Sequence, residues 1–236
     1  MNFEIGANMF RDALKYGSLT KTKKPLIELV SLSVGDNGLI VKGYDNASVI
    51  MSYINIKKDH IIVNEEGDIL IEPRKIIEVL GKTFKGATVT FKTDNERFYV
   101  FSGDDEYSEL IADVNLEFPI DFKIENNVPK PEGIEYKTVV KVSETPGLPD
   151  VPDITLEVNN GKCRLVTGDE TSVLKKVISL RCSGEDISVK LDVDYLKRVF
   201  DMIKGEFVMS INEDSVYFLN PRDFGFVTYI LVTKEE

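Results

Sequence analysis

Two stretches of this 236-residue chain follow one layout, and an internal repeat constrains the fold more than any single motif. The first runs Asp68-Ile69-Leu70-Ile71, a helical pattern over 73–85, then Gly86-Ala87-Thr88-Val89. The second runs Asp186-Ile187-Ser188-Val189, a helical pattern over 194–204, then Gly205-Glu206-Phe207-Val208. One helix has the apolar face Ile77, Leu80, Gly81 and Phe84; the other has Leu196, Val199, Phe200 and Ile203. Both follow the i, i+3, i+4, i+7 spacing of an amphipathic helix in the same register. Both close on Lys-Gly, at Lys85-Gly86 and Lys204-Gly205, where glycine accepts positive φ and is expected as the C-cap. A strand, a polar turn (Asp94-Asn95 or Glu213-Asp214) and a second strand (97–101 or 216–219) follow each helix.

The rest of the chain fits around this repeat. A short helix is predicted over 8–16. Strands are predicted near 26–34, 39–44, 48–54, 60–63 and 107–112, separated by turns at Gly35-Asp36-Asn37-Gly38 and Asp45-Asn46. Residues 114–133 hold Pro119, Pro129 and Pro131 with Asn126-Asn127 and read as an extended connector. Leu116, Phe118, Ile120 and Phe122 alternate within it, so part can run as a strand. The second half is predicted to open with a helix over 136–144, cut short by the proline-rich insert 145–152. Strands near 154–158, 163–167 and 173–181 follow, with a turn at Asn159-Asn160-Gly161, and a strand at 226–232 precedes the acidic tip Glu235-Glu236. Helices on one face of antiparallel sheet make an α+β fold. The expected division is 1–113, a connector over 114–133, and 134–236.

Composition removes several classes. The chain is 42% hydrophobic, enough for a core in each half, yet has no apolar run long enough to cross a membrane. Met1-Asn2-Phe3-Glu4 lacks the basic and apolar regions of a secretion signal. Cys163 and Cys182 show no metal or redox spacing and read as buried or edge thiols of a reducing compartment. The one histidine, His60, beside Lys57-Lys58-Asp59, reads as a surface residue.

The net charge of −11 should repel nucleic acid unless the basic residues gather on one surface. Helical wheels, at about 100° per residue, place them away from the sheets. Lys75 and Lys82 oppose Ile77 and Phe84. Arg198 opposes the second apolar face, with Lys197 and Lys204 beside it. Lys15 points outward and Arg11 flanks on the first helix; Lys137 and Lys141 do so on the 136–144 helix. Solvent faces of helices carry charge in any case, and Asp12, Glu78, Asp194 and Asp201 share these faces. Cations on every helix of an acidic chain nevertheless suit phosphate contact without base reading.

At this point the chain resembles the DNA sliding clamps of the proliferating cell nuclear antigen type, whose architecture the clamps of T4-like phages share. Two similar domains, an acidic total and basic helices carry the likeness. So do Gly43-Tyr44-Asp45-Asn46-Ala47-Ser48-Val49, similar to a family turn, and Phe226-Val227-Thr228-Tyr229-Ile230-Leu231-Val232-Thr233-Lys234, similar to the family's last strand. The latter departs at Val232-Thr233, where alanine–proline is usual. The resemblance implies a homotrimeric ring with two helices per domain on its inner face, sheets outside and duplex DNA threaded through. It implies no cofactor, metal or catalysis, and a place in the cytoplasm, nucleoid or nucleus. DNA polymerase, a clamp loader and other replication and repair proteins would be partners. Their short apolar peptides would dock on Tyr44, Val49, Met51, Leu116, Phe118, Tyr229 and Val232. Subunits would join by pairing 107–112 with 173–181, setting Glu106, Glu109 and Ile111 against Lys175, Lys176, Val177 and Arg181. Opposite charges across an edge favour that pairing. The 145–152 insert puts the DNA contact of Lys141 in question.

Two other readings remain open. An enzyme would need a nucleophile, phosphate loop or metal spacing, and none is found; Asp104-Asp105-Glu106 reads as a solvated acidic turn. A non-ring, monomeric processivity factor, or a protein-interaction scaffold of the same fold, would keep both the repeat and the basic helices.

Overall fold

Phe3 and Ile5 alternate with Asn2 and Glu4, so Asn2–Gly6 forms a half-buried strand, β1, that leads into helix α1, Ala7–Gly17. The computed structural model describes residues 1–20, 25–45, 47, 49–112, 117–126, 128–168 and 173–234. Leu116, Asn46, Ser48, Asn127, Glu235 and Glu236, all named in the predictions above, lie outside the described residues, as do the boundary positions 113 and 114. The chain forms two units, residues 1–46, 52–119 and 222–227, and residues 47–51, 120–221 and 228–236.

After α1 come β2 (Val30–Gly35), β3 (Gly38–Tyr44), β4 (Ile50–Ile56), β5 (Ile61–Glu65), β6 (Gly67–Ile71), α2 (Pro73–Lys82), β7 (Thr88–Thr93), β8 (Arg97–Ser102) and β9 (Asp105–Leu110). In the first unit β5-β1-β7-β8-β9 form one antiparallel sheet and β6-β2-β3-β4 run as a second ladder. Helix α1 packs beside α2 over the core. That core is aromatic: Phe91 stacks between Phe3 (4.9 Å) and Phe98 (5.4 Å) and meets Phe10 edge-on at 5.6 Å. Such pairs add about 0.5–1.5 kcal/mol each beyond area burial. Backbones also approach closely: a Cβ on Gly43 would lie 2.7 Å from the Gly17 carbonyl oxygen.

The second unit contains β10 (Phe122–Glu125), β11 (Val128–Pro131), β12 (Thr138–Val142), β13 (Asp153–Asn159), β14 (Lys162–Gly168), β15 (Val173–Ser179), β16 (Cys182–Gly184), β17 (Ile187–Asp192), α3 (Val193–Met202), β18 (Phe207–Ile211), β19 (Ser215–Arg222) and β20 (Gly225–Val232). Here β16-β12-β18-β19-β20 form one ladder and β15-β14-β13-β17 the other. Strand for strand, this is the first unit's order again. Phe200, Phe207 and Phe218 form the aromatic centre, with centroids 5.9–6.5 Å apart.

One predicted helix is absent. Residues 136–144 contain strand β12 instead, and three α-helices rather than four occur among the described residues. Thr138, Val140 and Val142 are buried while Lys141 is exposed, which is the period of a strand. The β-branched run favours that choice. Tyr136, Val139 and Val140 fit a helical face only because so short a segment fits both periods. In the order of the repeat β12 is the counterpart of β1, and the irregular segment 143–152, with Pro146, Pro149 and Pro152, stands where the first unit has α1. Among its described residues the second unit therefore carries one α-helix, not two.

Smaller corrections concern ends. Helix α2 stops at Lys82, and α3 at Met202, before the Lys-Gly pairs. Gly86 (φ +77) and Gly205 (φ +68) do take positive φ, but in the turns into β7 and β18 rather than as caps. The connector contains a hairpin, β10–β11. Its Glu125 pairs with Lys123 (2.7 Å) and Lys130 (2.8 Å), and Tyr217 donates to the Pro129 carbonyl from beneath.

Candidate functional site

Each helix buries one stripe and so fixes where its cations go. On α1, Phe10, Ala13 and Leu14 are buried, leaving Arg11 and Lys15 at the side. Arg11 donates to Asp12 at 3.0 and 3.1 Å, and its Cδ is 3.4 Å from a Cβ placed on Gly81 of α2. On α2, Ile76, Ile77 and Leu80 are buried and Lys75 and Lys82 exposed. Lys75 Nζ lies 2.8 Å from Glu109 on β9, and Lys82 pairs with Glu78 one turn back. The hydrogen bond to Glu109 raises the Lys75 pKa above its usual value. On α3, Lys197 pairs with Asp150 at 3.3 Å, Arg198 is half-buried, and Lys204 is exposed just beyond the helix.

Lys137 and Lys141 are not helical. Lys137 precedes β12 and pairs with Glu213 at 2.6 Å; Lys141 lies on β12. The Lys141 amide donates to the Arg181 carbonyl at 3.0 Å. Lys141 and Arg181 both line a cavity of about 240 Å³ with Ser143, Glu206, Phe207 and Pro221. Two residues predicted for different surfaces thus stand together, and so do Lys75 and Glu109. Five of the nine cations predicted to face DNA, namely Arg11, Lys75, Lys82, Lys137 and Lys197, are engaged by a carboxylate. Lys15, Lys141, Arg198 and Lys204 stand outside these pairs.

The predicted peptide-docking residues divide by depth. In the first unit Tyr44 and Phe118 form an edge-to-face pair at 5.5 Å, with the Lys42 ammonium 5.6 Å above the Phe118 ring. Lys42 was missed by sequence reasoning; its place two residues before Tyr44, on the same face of β3, was the only clue. In the second unit Val232 is 42% exposed and its amide donates to the Val49 carbonyl at 2.9 Å. Met51 and Tyr229 are core residues, 4% and 0% exposed.

The predicted subunit surfaces are sheet edges. Strand β9 ends one sheet and β15 the other. Leu110 on β9 and Val173, Leu174 and Val177 on β15 are 49–61% exposed, and Leu180 beyond β15 is 69% exposed. Lys175 and Lys176 are exposed on β15 and Arg181 just after it; Glu106 is exposed on β9, and Ile111 is half-buried with its amide on the Glu96 carbonyl at 2.9 Å. Lys175 reaches Glu157 at 3.6 Å.

Sequence reasoning also missed a charged cluster around Lys234. Lys234 pairs with Asp153 and, at 3.0 Å, with Asp192; Lys190 reaches Asp153 at 3.4 Å. Asp192 also caps α3 by accepting from the Asp194 and Tyr195 amides. His60 is an exposed residue with Nε2 3.1 Å from the Asp223 carbonyl oxygen, and Cys163 is buried, as expected.

A family profile described as DNA polymerase III beta subunit, N-terminal domain, matches residues 1–125. No curated protein sequence matches the chain. Among solved structures, one described as the C-terminal region of FEN-1 bound to A. fulgidus PCNA superposes with a TM-score of 0.77 at 14% identity, covering 100% of this chain and 98% of the other. A PCNA2–PCNA3 complex from Sulfolobus tokodaii gives 0.73 at 15% identity, with both chains covered completely. The matched profile spans more than half the chain and the fold likeness spans all of it: the chain belongs to the DNA sliding-clamp family.

Proposed function

We propose that three copies of this chain close into a ring around duplex DNA and tether DNA polymerase and other replication or repair proteins that carry apolar docking peptides. The observation that carries this reading is the set of strand edges the repeat leaves over. Both units contain a piece of one pairing: Gly225–Val227 run with Ser52–Ile56 in the first, and Val232 bonds to Val49 in the second. That pairing joins a β4-type strand to a β20-type strand. Their counterparts in the repeat order are β15 and β9, and these are the edges left open. Exposed apolar edges are an aggregation hazard unless a partner covers them. One edge is basic (Lys175, Lys176) and the other acidic (Asp105, Glu106), so head-to-tail addition of identical chains satisfies both and closes by rotation.

In the ring, cations on α1, α2 and α3 face DNA and contact phosphate without reading bases. Arg198, Lys204 and Lys15 contribute most, because Arg11, Lys75, Lys82 and Lys197 already hold a carboxylate. Contacts of this kind are weak and mobile, which suits sliding. The chain performs no chemistry and needs no cofactor; a closed ring requires an ATP-driven loader to open it. Its place is the cell compartment that holds the replicating DNA, and no helix among the described residues is long and apolar enough to cross a membrane.

The test is topological. Loaded onto a nicked circular plasmid, the protein should stay bound through gel filtration and be lost when a restriction enzyme linearises the circle. Equal loss from circle and line would refute encirclement.

A further inference from the structure

The terminal segment is fastened in a way its backbone alone does not require. Beyond β20, the Thr233 amide donates to Asp214 and the Lys234 amide to Lys190, at 2.9 and 2.8 Å. Thr233 and Lys234 line a cavity of about 290 Å³ with Thr155, Ser188, Val189, Lys190, Glu213 and Asp214, a lining mostly of polar residues. The tie is the alternating cluster Lys190–Asp153–Lys234–Asp192, whose side chains are 25–42% exposed. Asp192 is itself fixed by its bonds to the first turn of α3, so the anchor is rigid.

We propose that Lys234 is a positioning residue for partner docking: by clamping Asp153 and Asp192 it holds the exposed Val232 and the Val232–Thr233 backbone in the arrangement a partner's apolar peptide binds. This rests on the docking surface proposed above. Lys234 itself touches no partner; it keeps the binding-competent conformation populated, and affinity falls in proportion when that population falls. The same cluster keeps the Asp153 carboxyl below its usual pKa, through its hydrogen bond to Lys234.

The test compares wild type, Lys234→Met, Lys234→Arg and Asp153→Asn in the full chain by two measurements. Amide hydrogen exchange at Thr233 and Lys234 reads the clamp, and calorimetric titration with a synthetic peptide of the FEN-1 C-terminal region reads docking. Lys234→Met and Asp153→Asn should speed exchange and weaken the peptide about five-fold, the scale of a few partly exposed ion pairs. Lys234→Arg should behave as wild type, and only wild type and Lys234→Arg should lose affinity as salt rises. Unchanged exchange in Lys234→Met would overturn the clamp. Faster exchange with unchanged affinity would overturn its positioning role. Failure of wild type itself to bind the peptide would instead overturn the docking reading, and the positioning role with it.

Discussion

Gly81 and Gly43 should respond to one chemical change with opposite signs. Gly81 sits in the last turn of α2 facing α1. A Cβ there would meet only Arg11 Cδ at 3.4 Å and Nη1 at 3.7 Å, ordinary contact with a side chain that can yield. Alanine then removes the backbone freedom that glycine loses on folding, a gain of about 0.5–1 kcal/mol in a helix. Gly43 lies on β3 under α1. Its Cβ would sit 2.7 Å from the Gly17 carbonyl oxygen, 2.9 Å from Ile27 Cγ2 and 3.1 Å from Ser52 Oγ. Backbone cannot move aside cheaply, and overpacking of this kind costs about 1–3 kcal/mol. For a chain of this size about 1 kcal/mol corresponds to roughly 2–4 °C in Tm. Scanning calorimetry should therefore show Gly81→Ala melting about 1–4 °C higher than wild type and Gly43→Ala several degrees lower. A lower Tm for Gly81→Ala would mean that α1 and α2 meet more tightly than described, and that Arg11 cannot adjust between them. An unchanged Tm for Gly43→Ala would refute the close approach of α1 to β3.

Arg198→Glu with Lys204→Glu should reduce polymerase stimulation and flatten the salt dependence of DNA binding, by about 0.9 in log–log slope for each phosphate no longer neutralised, while solution mass stays unchanged; an unchanged slope would show that α3 does not face DNA. Glu125 is held at about 2, first by its hydrogen bonds to Lys123 and Lys130, against an ordinary 4.5. Because the folded value is the lower one, this pairing favours the folded hairpin above about pH 4.5 and is lost as pH falls toward 2. A carbon-detected NMR titration should place the Glu125 midpoint near 2 in wild type and higher in Lys130→Met; a wild-type midpoint at the ordinary value would contradict the pairing.

The repeat was legible because amphipathic periodicity over ten or so residues is hard to produce by accident, which is why α2 and α3 appear where Ile77, Leu80, Leu196 and Val199 place them. Segment 136–144 was not, because a short run with apolar positions at Val139 and Val140 satisfies a helix and a strand alike. What decides in favour of β12 is its pairing with Phe207–Ile211, far along the chain. Strand β1, only five residues long, was not predicted at all and reveals itself only between β5 and β7. Charge suffers most from this locality. A wheel reports that Lys75 points away from Ile77, yet cannot report that Glu109, 34 residues on, meets it there. Lys234 and Asp153, 81 residues apart, are joined only by the fold.

Closure of a ring by three identical chains is tested most directly by solution mass. Multi-angle light scattering behind gel filtration, across a wide range of protein concentration, should give three times 26.6 kDa. Leu110→Asp or Val177→Asp, each placing a charge on an apolar open edge, should reduce that mass to one chain. A single-chain mass for wild type at every concentration would contradict the account, leaving β9 and β15 without the partner that their exposed leucines and valines require.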